Sequence, residues 1–240
     1  MTANVLLHRS ADATEQAAAL AREVSDRLVD AIQARGHALL AVSGGSTPVR
    51  LFSALRDFAL PWERVTVILV DERCVNSEHA DSNAALVRRH LLQHAAAAAH
   101  WLPFFDQPLS DLASDAALDS LALEACRRLA ALPWPLDVAV LGMGEDGHTA
   151  SLFAGAPGLP VALQGQGPVA WIRPVIAPHA RLTLTLPTLL AARCLVLPLV
   201  GTAKRAVFDR ACVEPNPELP ISLVLHHSAR PVQVWLATKA

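Results

Sequence analysis

Residues 142–153 read Gly-Met-Gly-Glu-Asp-Gly-His-Thr-Ala-Ser-Leu-Phe, and within them Asp146 and His148 stand two apart in a glycine-rich turn. An imidazole titrates near neutrality, which makes it the natural group to take a proton from water. A carboxylate beside it can orient the ring and strengthen its hold on that proton. The competing reading is a histidine that only ties down the turn.

Taken literally, Gly142 to Gly147 also spells GxGxxG, the dinucleotide pattern, which needs an acidic residue about 20 positions on to hold a ribose hydroxyl. From Gly147 to Phe208 there is no acidic residue, while Arg173, Arg181, Arg193, Lys204 and Arg205 all fall in that span. A nicotinamide cofactor is therefore excluded and an anionic ligand expected. Ser43-Gly44-Gly45-Ser46-Thr47-Pro48 supplies a place for it. A glycine turn between a strand and a helix collects free backbone N–H groups and hydroxyls at a helix N-terminus, a ready anion site. The alternative is a plain, well-capped turn.

Several other chemistries lack their residues. GxxxxGK[ST], GxSxG and HExxH are absent, and His226-His227 is not a metal-ligand spacing. Cys74, Cys126, Cys194 and Cys212 have no CxxC or zinc spacing and read as small apolar residues of a reduced protein. Eight further histidines, His79 among them, have no partner motif, and His179 shares a loop with Arg181. Only two of the 20 basic residues are lysine; Lys204 is internal, which hints at a task for a compact ammonium.

These residues must be held by strands and helices. Strands are expected at Asn4–His8, His37–Val42, Val65–Val70 and Leu136–Leu141, then at Val169–Val175, Arg181–Leu186, Cys194–Val200 and Val232–Leu236. Asp12 can cap a long helix ending near Gly36, and Pro48 is placed at the first position of the next. Asp81 or Ser82 caps a third helix, a fourth covers Asp111–Ala131, and Gly201 opens a helix carrying Lys204. Thr149 and Ser151 are suited to capping a short helix, and 155–167 reads as a loop bounding a small subdomain or lid. The charges Asp71-Glu72-Arg73-Cys74 follow an apolar strand and so fall at the sheet's carboxyl edge, as either a site or a solvated ion cluster. Strand and helix alternate, which argues for an α/β domain over 1–240 with a mostly parallel, doubly covered sheet.

With 52% hydrophobic residues and a formal net charge of −2, the chain can build a core and has no electrostatic case for nucleic acid or an acidic membrane surface. Met1–Ser10 lacks the apolar core of a signal peptide, and no run reaches the ~18 apolar residues of a membrane span. A cytoplasmic enzyme acting on a small phosphorylated molecule, without metal or cofactor and with no obligate protein partner, is expected. His148 would be its base, and the 43–47 turn with scattered cations its phosphate clamp.

Three blocks carry a closer resemblance: Val-Ser-Gly-Gly-Ser-Thr-Pro at 42–48, Val-Asp-Glu-Arg-Cys-Val with His-Ala-Asp-Ser-Asn across 70–83, and 141–153. Together with Arg-Leu-Thr-Leu-Thr-Leu-Pro at 181–187 and Gly-Thr-Ala-Lys-Arg at 201–205, they resemble the 6-phosphogluconolactonase family. That resemblance implies a modified three-layer Rossmann-like fold, with a mostly parallel central sheet and a small additional β/loop subdomain, and metal-free hydrolysis of a phosphorylated sugar lactone. It makes His148 the base, has Arg73 steady the developing oxyanion or the ring, and has Asp146 order the turn. Ser43, Gly44, Gly45, Ser46, Thr47, Asp71, Arg181 and Lys204 would surround the phosphate and substrate. Ala154 stands where the family has proline, and Ala177-Pro178-His179-Ala180 shortens a proline-rich lead-in. The rival readings are an amino-sugar-phosphate deaminase or isomerase, which would carry an aromatic after Asp-Glu, and a non-catalytic sugar-phosphate sensor.

Overall fold

A computed structural model describes residues 2–106 and 114–239, the side chain of Ser46 excepted. Seven strands form one parallel sheet: β1 (Val5–Asp12), β2 (Ala38–Val42), β3 (Val65–Leu69), β5 (His100–Trp101), β6 (Val138–Val140), β9 (Leu195–Val200) and β10 (Val232–Lys239). Their spatial order is β1-β10-β9-β6-β2-β3-β5. Strands buried on both faces need apolar residues throughout, and β2 and β6 are buried at every position. At the edge, β1 has only exposed and half-buried residues.

A second, antiparallel sheet of order β4-β8-β7 combines β4 (Asp71–Arg73), β7 (Val169–Ile172) and β8 (Arg181–Leu184). The charges after β3 are thus not a loose cluster. They form a strand that Val70 bends away from the main sheet, its amide still bonded to Val42 O at 2.9 Å.

The helices are α1 (Ala13–Arg35), α2 (Ser46–Leu55), α3 (Asn83–His90), α4 (Asp115–Leu129), α5 (Leu159–Gln164), α6 (Leu186–Leu190), α7 (Thr202–Ala211) and α8 (Pro220–His227). Asp12 caps α1 by accepting from the amides of Thr14 and Glu15, both at 2.9 Å. Gly36, left-handed at φ 80°, closes the other end. Of the two candidate caps for α3 it is Ser82, not Asp81, that bonds the amide of Ala85.

The structure corrects four local expectations. α2 begins at Ser46, so Pro48 is its third residue, because Gly45 at φ 104° turns the chain directly into the helix. No helix follows Thr149 and Ser151; a Thr149–Leu152 bridge closes a tight turn and both hydroxyls are used elsewhere. The segment 155–167 holds α5, with Pro160 at its start, and is not all loop. The α4 helix begins at Asp115; of the wider span expected for it, 111–113 lie outside the described residues.

Candidate active site

From β2 the chain moves through β3 to β5, then returns on the other side of β2 through β6, β9 and β10. The carboxyl ends of β2 and β6 therefore diverge, and open α/β sheets bind ligands at such a switch point. Ser43 stitches it together. Its hydroxyl donates to Val140 O at 2.9 Å and accepts the amide of Gly142 at 3.1 Å. Above it opens a cleft of about 240 Å³ lined by Ser43, Gly44, Gly45, Thr47, Asp71, Arg73, His148, Arg181 and Lys204. Asp146 lines the adjoining recess with Arg73, Phe153 and His148. Residues far apart in sequence thus converge as expected. Ser46 contributes its place as the first residue of α2.

One wall is built for an anion. The helices α1, α3 and α4 are capped by the side chains of Asp12, Ser82 and Ser114. In contrast, α2 and α7 start from Gly45 and Gly201, at φ 104° and 91°, with no side-chain cap. Gly201 and Thr202 of α7 line a separate recess, whereas the start of α2, through Gly45 and Thr47, leaves amides and the positive end of a helix dipole for a ligand in the cleft. Half-buried Lys204, in the first turn of α7, faces the same space. Burial lowers its pKa, and Glu145 partly restores it.

The opposite wall comes from the small sheet, where Arg73 and Arg181 are direct cross-strand partners. Like charges so placed repel, a cost that an anion between them would relieve. Arg181 is only 7% exposed, and both guanidiniums leave a buried Nε without a partner among the described residues. Burial lowers the pKa of Arg181, Asp71 acts to raise it, and Arg73 lowers it further. Asp71 lies 4.0 Å from Arg181 and accepts the Ser151 hydroxyl at 2.7 Å. Asp71, expected among the substrate- and phosphate-binding residues, lines the cleft and there holds Arg181 and Ser151.

Sequence reasoning passed over three residues that complete the site. Glu72 is buried and accepts from the amides of Arg73, Asn83 and Ala84 and from Ser82 Oγ, at 2.7–3.1 Å. Burial raises its pKa, against those backbone bonds. It fixes the start of α3, where Asn83 donates from its side-chain Nδ2 to Asp71 O at 2.8 Å and keeps Oδ1 buried and without a partner among the described residues, beside the cleft. A Cβ on Gly44 would stand 1.8 Å from that oxygen, so only glycine fits there. Phe153 stacks on His148 with centroids 4.1 Å apart, and Arg181 lies 5.0 Å from the same ring. Asn83 and Phe153 end two of the blocks quoted above; nothing local marked them as cleft residues.

At the centre, His148 Nδ1 lies 2.5 Å from Asp146 Oδ1, which also accepts the His148 amide at 3.2 Å. That fixes Nδ1 as the protonated nitrogen when the ring is neutral and leaves Nε2 as the acceptor. Of the basic residues in the acid-free stretch, only Arg181 and Lys204 reach the cleft. Arg173, Arg193 and Arg205 pair instead with Asp115, Asp137 and Asp209.

Fold and site together define a Rossmann-like α/β protein with an anion-binding cleft and an oriented imidazole. The chain belongs to the family of glucosamine-6-phosphate isomerases and 6-phosphogluconolactonases, whose profile matches residues 11–235. It is 46% identical over 229 residues to a 6-phosphogluconolactonase of Mesorhizobium japonicum, covering 94% of this chain and 92% of that one. With the 6-phosphogluconolactonase of Neisseria meningitidis serogroup A it shares 42% identity over 234 residues, covering 96% and 98%. The crystal structure of a putative 6-phosphogluconolactonase from Neisseria gonorrhoeae matches with a TM-score of 0.88 at 39% identity, covering 97% of this chain and 99% of that one. A monomeric glucosamine-6-phosphate deaminase matches with a TM-score of 0.72 at 17% identity, a likeness of fold alone.

Proposed function

We propose that this protein hydrolyses 6-phospho-D-glucono-1,5-lactone to 6-phospho-D-gluconate, the second step of the oxidative pentose phosphate pathway, in the cytoplasm and without metal. The observation that carries the reading is the His148–Asp146 pair, at 2.5 Å, facing a cleft with cations on both walls. The phosphate docks on the amides at the start of α2 and on Lys204. Ser43, whose hydroxyl proton is committed to Val140, shapes that pocket and does not donate to the ligand. Asn83 Oδ1, buried without a partner, accepts a sugar hydroxyl.

With the substrate so held, His148 Nε2 takes a proton from water as its oxygen attacks the lactone carbonyl carbon. Arg73 and Arg181 steady the oxyanion that forms, and a donor aimed at developing charge is worth ~3 kcal/mol. As the carbon–ring-oxygen bond breaks, His148 returns the proton to the ring oxygen. The product's carboxyl group then ionises into solvent. Asp146 holds the ring through both transfers.

The test is hydrolysis of freshly generated 6-phosphogluconolactone, corrected for its spontaneous rate, with chelator present. Acceleration is expected; its absence would sink the proposal. Ammonia release from glucosamine 6-phosphate would point to the isomerase activity instead.

A further inference from the structure

A second cluster of reactive side chains sits on the rim of the cleft, shared by two loops. His79 and Asp81 lie in the 74–82 loop after β4, and His179 lies in the 173–180 loop before β8. His179 Nε2 is 3.1 Å from Asp81 Oδ2, and His79 Nδ1 is 3.9 Å from the same oxygen. The imidazoles meet edge to face with centroids 5.4 Å apart. His179 reaches this position from a left-handed backbone, φ 68°. All three ligand atoms fall within 4.8 Å of one another.

We propose that His79, Asp81 and His179 form a binding site for a late first-row divalent cation, zinc foremost, with water completing the shell. Two imidazoles and a carboxylate are the donors such ions prefer. Bonds of about 2.0–2.2 Å in tetrahedral geometry set ligand atoms about 3.3–3.6 Å apart, so from within 4.8 Å of one another the side chains need close by at most about 1.5 Å. They are free enough to do so, at 45%, 51% and 31% side-chain exposure. His79 Nδ1 accepts the Asp81 amide at 3.1 Å; it would hand that lone pair to the metal, and water would take the amide. The opposing charge is Arg73, which donates to the Asp81 carbonyl oxygen. The Asp81 carboxylate offsets it. A bound cation would tie together the two loops that adjoin Arg73 and Arg181. None of its three ligands lines the cleft that holds His148.

Calorimetric titration of the chelator-stripped protein with zinc chloride at neutral pH tests the assignment. One equivalent should bind. His79→Ala and His179→Asn should each weaken binding by at least the roughly 10–100-fold that loss of an outer-shell partner costs. Asparagine is chosen at 179 because it tolerates left-handed φ, and circular dichroism establishes that both variants fold. His148→Ala should bind zinc as the parent does. No binding, unchanged affinity in His179→Asn, or a loss confined to His148→Ala overturns the proposal.

Discussion

Gly144 explains why an acid and an imidazole two residues apart can meet at all. A Cβ there would stand 2.3 Å from both the His148 ring and Asp146 Oδ1, in the space the pair occupies. Because the pair acts in proton transfer, His148→Ala should lower kcat by roughly 10²–10⁴ with KM changed little. Asp146→Asn should lower it less, since Nε2 survives and only its orientation is lost. Steady-state kinetics with the uncatalysed rate subtracted reads both. Lys204 makes the opposite trade. Its lowered pKa means the folded state holds the proton less tightly than the unfolded chain. Stability therefore rises with pH between the lowered value and the ordinary lysine value, and the ammonium is a net cost while charged. Lys204→Met should leave the melting temperature at neutral pH unchanged or higher. It should raise KM by roughly 10–100-fold, the worth of one hydrogen bond to a charged group. The parent's KM should climb on the alkaline side earlier than an unperturbed lysine would allow.

At the scale of elements, the site depends on how β4 meets α3 and β8. Glu72 alone receives four hydrogen bonds there, three from backbone amides. Glutamine would turn a donor toward two of those donors, so Glu72→Gln should destabilise by about 2–4 kcal/mol, seen as a lower urea midpoint. This was also the least legible part of the chain. Asp71 and Glu72 look like solvent-facing charges after a strand, yet they are 5% and 2% exposed. Their partners, Ser151, Arg181 and the start of α3, lie elsewhere in the sequence, where no local pattern reveals them. The glycine turn of α2, by contrast, could be read directly. Its chemistry is local, and only the helix start moved, because the φ of Gly45 is not written in the residue order. Pro198 was equally hidden. A proline inside a buried strand is unexpected, but its last β6 neighbour is Val196–Val140, so it borders the cleft past the end of β6.

Across the whole molecule, the cleft joins two sheets, so a ligand there should stabilise the fold as a unit. At 100 times its Kd a ligand adds about 2.7 kcal/mol, which for a chain of this size is roughly 5–10 °C in Tm. 6-Phosphogluconate should produce such a shift in scanning calorimetry, in His148→Ala as in the parent, but much less in Lys204→Met. The alternating apolar runs gave away the parallel sheet, since buried strands and amphipathic helices follow from local periodicity. The small additional β subdomain expected beside the main sheet is the antiparallel sheet, but which strands pair in it could not be read, because pairing between β4 and β8 is a choice between distant partners. The cysteines are free thiols, as their spacing implied, and burial pushes Cys74 up to about 12, which keeps it protonated and inert. One further consequence lies in the sheet's edge, where β1 pairs with β10 alone, from Val5 against Val232 to Asp12 against Lys239. During synthesis β1 must wait for β10. Until residues 232–239 emerge, β1 has no partner and β9 has an open flank, two bare ladders on one nascent chain. Such distant pairing slows folding and leaves the unpaired edges open to other strands until β10 joins them.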